Sequence, residues 1–210
     1  MFKKVILVEG VNDLAFIDWL ILKSEIDISR SLVKLVKVGG KSFFQSYIEN
    51  KIIGMVNDTQ NKIDYSEENE IKQILLIKDF DSDDSTIEYN DFALMLKDKH
   101  NIELVKYYIA GTVSPPKLLE TLFIENDGEL LKEFASTIKK FNQSRIDAGK
   151  DGLEKVNDKF IFHGFNKIQN KKIEYNSKIF DDMFGTTVFL ELPDIKNLVE
   201  KIREFIKEKQ

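Results

Sequence analysis

Hydrophobic positions in the first half of the chain follow two alternating patterns. Four short apolar runs, rich in Val, Ile and Leu, predict β-strands, and they lie at residues 3–8, 32–38, 71–78 and 102–109. After each of the first three runs, apolar residues recur every three or four positions. This spacing predicts helices at about residues 14–24, 42–55 and 86–99. Strands that alternate with helices are typical of an α/β fold with right-handed crossovers, so we expect a mostly parallel, four-stranded central sheet flanked by helices.

The pattern changes after residue 113. Ser114, followed by two prolines, predicts the start of a helix. Helical periodicity then predominates, at residues 117–125, 129–141 and 194–207. We expect residues 1–112 to form the α/β core and residues 113–210 to form a mainly helical C-terminal layer packed on it, together as one compact unit.

Composition excludes several classes of protein. The 210 residues are 42% hydrophobic and include 16 Phe, too many for a disordered chain. They include no Cys, which excludes disulfide frameworks, thiol catalysis and Cys-ligated metal sites. Any metal ion would therefore bind to oxygen ligands or to the two His.

The net charge and the hydropathy of the chain limit which partners and which cellular location we expect. The formal net charge is −5, which disfavours non-specific binding of a polyanion. Segment 132–178 is basic, unlike the parts before and after it, and is either a solvated face or a surface that contacts phosphates. No apolar stretch is long enough to span a membrane, and no signal-peptide cleavage pattern follows the first strand. We therefore expect a cytoplasmic protein that makes no membrane contact.

Carboxylates cluster where the third predicted strand ends. Asp79 and Asp81 follow that strand, and a spacing of two places both side chains on one face of an extended chain. Mg²⁺ prefers oxygen ligands and is commonly bound through one or two carboxylates plus substrate phosphate. Asp83 and Asp84 are either further ligands or caps of the next helix. This segment predicts a divalent metal site at the carboxyl edge of the sheet, where chemistry collects in α/β folds.

A second acidic group follows the first strand. Glu9 precedes a Gly10 turn, where a carboxylate beside a metal ion could act as a general acid or base. Asp13, one helical turn later, is a candidate ligand of a second ion, although Asn12 or Asp13 could instead cap the helix. Single strand-end Asp residues are commonly turn formers or caps, so the metal-site prediction depends on both acidic groups together.

The two acidic motifs resemble those of a known family. The segments VEGVND at residues 8–13 and IKDFD at residues 77–81 are similar to the Toprim domain of bacterial primases, type IA and type II topoisomerases, OLD-family nucleases and a ribosomal-RNA maturase. The resemblance covers residues 3–110 and implies a Rossmann-like fold. It also implies site roles, which are general acid/base for Glu9, metal ligands for Asp79 and Asp81, and an additional acidic residue of the metal site for Asp13.

Glycines after the second strand allow two interpretations. Gly39 and Gly40, together with Gly10, could let the backbone approach a phosphate, and Lys41 could reach the scissile group as a catalytic residue. A plain tight turn explains the same glycines equally well. The sequence VGGK at residues 38–41 looks most like OLD-type and small standalone Toprim proteins, whereas Ser82-Asp83-Asp84 departs from the pattern of the primases.

Three functions are compatible with these residues. The first is a Mg²⁺- or Mn²⁺-dependent phosphodiesterase, a nuclease that contacts the phosphates of DNA or RNA. The second is a non-catalytic, metal-dependent module that binds a nucleotide or nucleic acid, or that regulates a protein partner. The third is a phosphotransferase with Asp79 as nucleophile, which would need later Ser/Thr and Lys motifs that we cannot place. We predict the first; the sequence leaves the oligomeric state open.

Overall fold

The computed structural model describes most of the predicted elements. It covers residues 3–28, 33–40, 44–53, 71–78, 86–109, 119–126, 129–153, 156–168, 180 and 190–207. The predicted loop at 57–69 and the acidic segment at 79–84 lie outside the described residues.

A four-stranded parallel sheet forms the centre of the fold. Its strands are β1 (Lys4–Val8), β2 (Val33–Lys37), β3 (Gln73–Lys78) and β4 (Glu103–Tyr108), in the spatial order β2-β1-β3-β4. Every neighbouring pair of these strands is parallel. The predicted α/β fold is confirmed, and all four predicted strands are present within two residues of their expected bounds.

Helices follow the strands and continue beyond them. Within the described residues they are α1 (Val11–Lys23), α2 (Phe44–Tyr47), a π-helix that continues α2 (Ile48–Ile53), α3 (Thr86–His100), α4 (Leu119–Asn126), α5 (Glu129–Asp147), α6 (Asp158–Ile168) and α7 (Pro193–Ile206). The four last helices agree with the expected helical character of the C-terminal part. The division at residue 112 stays a prediction.

Both faces of the sheet are covered by apolar side chains. On one face, Ile6 and Val8 of β1 belong to a core that includes residues of α1 and of α4 to α7. On the other face, Val5 and Leu7 belong to a core with residues of α2, the π-helix and α3. Because successive strand residues point to opposite faces, burial of both faces explains why β1 and β3 are continuous apolar runs rather than alternating ones.

Three helices differ from the sequence expectation. Helix α1 has Gly10 as its N-cap, so neither Asn12 nor Asp13 occupies that position. Helix α5 extends through Asp147, because a polar sequence after residue 141 can continue a helix whose outer face is solvated. Helix α6 was not predicted individually. Its buried side chains are Ile161 and Phe162, and Phe165 and Ile168 continue the helical spacing from Ile161.

Candidate functional site

The strands β1, β2 and β3 end at one edge of the sheet, which we call the carboxyl edge. Val8, the last residue of β1, is in register with Lys37 of β2 on one side and with Ile77 of β3 on the other. Neighbouring strands of a sheet lie about 4.8 Å apart. Glu9 therefore leaves the central strand between the turn that follows β2 and the end of β3. Its side chain is partly buried.

The turn after β2 is bonded to the backbone of Glu9. The N–H groups of Gly39 and Gly40 both donate to the Glu9 carbonyl oxygen, at 2.9 and 3.0 Å. Gly39 has φ +98° and Gly40 has φ +135°, conformations that residues with a Cβ rarely adopt. The glycines thus permit a tight turn that fixes the β1–α1 connection. Both amides are already used, so a phosphate at this turn would have to be bound by other groups.

Asp13 bonds to the same connection from within α1. Its Oδ2 accepts a hydrogen bond of 2.8 Å from the Gly10 N–H, the reciprocal contact of a helix N-terminus. A carboxylate in the first turn is also favoured by the helix dipole. The described contacts of Asp13 are those of a residue that stabilises the start of α1, and its predicted role at a metal ion stays a prediction.

A second buried carboxylate approaches Asp13 from the C-terminal part. Glu120 of α4 is 4% exposed, and its charge interacts with that of Asp13. Two groups of α6 lie nearby. Nε2 of His163 is 3.9 Å from Oε1 of Glu120, and the Lys159 ammonium interacts electrostatically with Asp13. The start of α1 is therefore in electrostatic contact with two helices distant in sequence.

The environment of Asp13 changes its acidity. Burial raises the pKa of the Asp13 carboxyl above its ordinary value of 3.8, and the charge of Glu120 raises it further. The Gly10 N–H and the Lys159 ammonium act in the opposite direction. Burial is the largest of these effects, so the ionised form of Asp13 is less favourable here than in water. A cation near this carboxylate would offset that cost.

Lys78 ends β3 with a buried side chain. It is 6% exposed and is the last strand residue before the acidic segment. A Lys buried to this extent is uncommon unless it is paired with an anion. Neither Lys78 nor Glu120 was predicted as a site residue. The signal that could have indicated them is a charged residue at a position that the apolar pattern assigns to the interior.

The remaining predicted site residues are not among those the structure describes. Asp79, Asp81, Asp83 and Lys41 all lie outside the described ranges. Within those ranges, no group of three or more His, Asp or Glu side chains could hold a metal ion. By residue type, the sequence that follows Lys78 is rich in carboxylates, the donors that a hard cation prefers.

Comparison with known proteins supports the resemblance seen in the sequence. Residues 1–50 match the family model described as Overcoming lysogenization defect protein-like, TOPRIM domain. The match covers about a quarter of the 210 residues and supports a likeness to Toprim-type, OLD-like proteins. It spans β1, α1, β2 and α2, with Glu9, Asp13 and the Gly39–Gly40 turn, and it ends before β3. A Toprim domain indicates a nucleic-acid-related, metal-binding module. No curated protein and no solved structure matches the chain.

Across the described part of the chain, every helix is too short or too polar to cross a lipid bilayer.

Proposed function

We propose that this Toprim-type protein is a Mg²⁺- or Mn²⁺-dependent phosphodiesterase that cleaves DNA or RNA. The observation that carries the proposal is the register of the two central strands. Val8 pairs with Ile77, so Glu9 and Lys78 follow at the same level of neighbouring parallel strands, and Asp79 comes directly after Lys78 in the sequence. This register supports the proposal, which requires both acidic motifs to lie at one edge of the sheet.

Each acid has a proposed role. Asp79 and Asp81 would hold the cation, with Asp83 and Asp13 as further acidic ligands. The bound cation would polarise a phosphoryl oxygen and stabilise the charge that develops on it. Glu9 would accept the proton of an attacking water or donate one to the leaving oxygen. Lys41 would neutralise the phosphate, and the Gly10 and Gly39–Gly40 turns would leave room for the backbone of the substrate.

Metal binding is tested first, without a substrate. An ion that binds only the folded protein raises its melting temperature by mass action. We expect millimolar Mn²⁺ to raise the melting temperature of the wild-type protein, and we expect Asp79→Asn with Asp81→Asn to abolish the shift. Asp98→Asn is the matched control, because Asp98 is exposed on α3 far from the carboxyl edge. Equal shifts in all three proteins would contradict the metal site.

Turnover is tested with labelled single- and double-stranded DNA and RNA. We expect cleavage in Mn²⁺ or Mg²⁺ and none in EDTA. Glu9→Gln should lower the rate by about 10²–10⁴-fold, the usual contribution of general acid–base catalysis, while it retains the Mn²⁺ thermal shift. Intact substrates of all four kinds with either metal would refute the nuclease proposal.

A non-catalytic binding module is the alternative. It is compatible with the match, which covers Glu9 and Asp13. Such a module would bind a nucleotide or nucleic-acid end in a metal-dependent manner without cleaving it. Unchanged function of Glu9→Gln in cells, with loss of function in Asp79→Ala, would indicate this alternative.

A further inference from the structure

The amino edge of the sheet, opposite the candidate metal site, contains a second feature. A cavity of about 690 Å³ opens there, a volume within the range of ligand sites. Four lysines line it, and we call it the lysine groove; these residues are Lys3, Lys4, Lys72 and Lys97. Among the described lining residues, Glu103 is the one acid. The groove is thus strongly positive in a chain whose formal net charge is −5.

Two lysines of the groove lie side by side on neighbouring chain segments. Lys4 pairs with Gln73, so Lys3 and Lys72 are neighbours one position earlier. The Lys72 N–H donates to the Lys3 carbonyl oxygen at 2.8 Å, which confirms their closeness. Like charges on adjacent strands are destabilising. An anion bound between them would convert this repulsion into attraction.

Structural roles explain only part of the positive charge. The Lys4 ammonium donates to the carbonyl oxygens of Phe205 and Lys207 at the end of α7, at 2.7 and 2.9 Å. Lys97 is in the last turn of α3, where a cation suits the helix dipole. Neither argument applies to Lys3, which precedes β1.

Charge within the groove is only partly compensated. Oε2 of Glu103 accepts a hydrogen bond of 2.7 Å from the Gln73 side chain. The ammonium groups of Lys3 and Lys97 are in no ion pair with any residue that the structure describes. Both side chains are exposed, so both can reach a ligand in the groove.

We propose that the lysine groove binds phosphate groups, and that their expected source is a single nucleic-acid strand. Lysines neutralise phosphates as flexible point charges and carry no base specificity, so binding should be independent of sequence. Strand β3 has six residues, which at about 3.3 Å per residue places the groove roughly 17–20 Å from the carboxyl edge. The groove is therefore a contact distinct from the candidate metal site and does not depend on the proposed phosphodiesterase activity.

The test measures binding of a labelled single-stranded oligonucleotide of about 20 nucleotides, enough for one binding site. Fluorescence anisotropy in EDTA at several salt concentrations removes any contribution of divalent ions. The test variant is Lys3→Gln with Lys97→Gln. The matched control is Lys51→Gln with Lys132→Gln, which removes the same charge from exposed positions on other elements. A parallel titration with inorganic triphosphate tests whether a small polyphosphate, rather than a nucleic-acid strand, is the source of the bound phosphate.

We expect the groove variant to bind the oligonucleotide about tenfold or more weakly at low salt. The slope of log affinity against log salt should fall by about 1.4, since each lysine contact with single-stranded nucleic acid contributes about 0.7. Selective loss of either probe in the groove variant supports the phosphate groove, and the probe that is lost identifies the phosphate source. Equal losses in the groove and control variants, or no binding of either probe by the wild-type protein, would overturn it.

A further variant separates this proposal from the proposed function. Asp79→Asn with Asp81→Asn should bind the oligonucleotide in EDTA as well as the wild-type protein does. The groove variant should in turn retain the Mn²⁺ thermal shift.

Discussion

Replacement of Gly39 by Ala isolates the backbone requirement of the turn that contacts Glu9. Gly39 has φ +98°, and an added Cβ would meet no atom within 4 Å. The methyl group therefore fits, and its cost comes from the conformation that the backbone must keep. The Gly39 N–H donates to the Glu9 carbonyl oxygen at 2.9 Å, so relaxation of the strain would disturb the candidate site.

The expected magnitude follows from two opposing effects. A residue with a Cβ in a sparsely populated conformation costs about 1–3 kcal/mol. Ala also lowers the conformational entropy of the unfolded chain, which stabilises the folded protein by about 0.4–1 kcal/mol. We expect a net loss of about 1–2 kcal/mol in the free energy of unfolding. For a chain of this size, such a loss lowers the melting temperature by roughly 2–8 °C.

Gly164→Ala is the matched control. Gly164 is inside α6, and an added Cβ there also meets nothing within 4 Å, but its φ is not positive. The same substitution should therefore stabilise the protein, by about 0.5–1 kcal/mol, because Ala favours a helix over Gly.

Urea and thermal unfolding, followed by circular dichroism without divalent ions, measure both variants. We also expect the Mn²⁺ thermal shift to decrease in Gly39→Ala and to persist in Gly164→Ala. If Gly39→Ala were as stable as the wild-type protein, or stabilised as Gly164→Ala should be, the argument from the positive φ would be wrong.

Three further substitutions test individual contacts by urea unfolding. Lys4→Met should cost about 1–2 kcal/mol, because it removes both hydrogen bonds to the last carbonyls of α7; a loss below the error of measurement would contradict this. Tyr89→Phe should cost about 0.5–1.5 kcal/mol at neutral pH, because the hydroxyl donates to the Leu104 carbonyl oxygen at 3.2 Å. Burial raises the pKa of Tyr89. The contribution of the neutral phenol to the free energy of unfolding is therefore greatest below pH 10 and decreases at higher pH. The cost of Tyr89→Phe should therefore shrink above pH 10, and a cost independent of pH would count against it. Burial also raises the pKa of Asp13. The contribution of this group to the free energy of unfolding is therefore greatest below pH 3.8, where Asp13 is protonated in both the folded and the unfolded protein, and it is lost as pH rises through the raised pKa. Asp13→Asn, which keeps an acceptor for the Gly10 N–H, should flatten this loss above pH 3.8, and parallel curves for the two proteins would refute the assignment.

The sheet could be predicted because its cause is local in the sequence. Residues 3–8 and 71–78 are continuous apolar runs, and such runs require burial on both faces. Helix α1 was predicted from its apolar period, but its N-cap was assigned wrongly. Asp13 has the residue type of a cap, yet it acts from the third position of the helix, with Gly10 as the N-cap. The choice between these positions depends on the backbone of the preceding turn, which composition does not specify.

The candidate site was predictable only in its types of residue. Glu9 and the acidic segment after β3 are separated by about 70 residues in the sequence, and the pairing of β1 with β3 places the ends of these two strands side by side. The approach of Glu120 and His163 to the start of α1 was not predictable. It depends on how α4 and α6 pack on the sheet, and each residue by itself has the pattern of an ordinary helical position.

The sequence by itself determined the α/β class, the four strands, the acidic strand ends and the resemblance to Toprim domains. These follow from the spacing of apolar and charged residues over a few turns or strands, because local periodicity decides which face of an element is buried. The tertiary structure decided that Gly39 and Gly40 bond to Glu9, that Glu120 lies near Asp13, and that lysines from three separate chain segments line one groove. Those contacts join residues far apart in the chain, and strand order and register, which fix them, are properties of the whole fold.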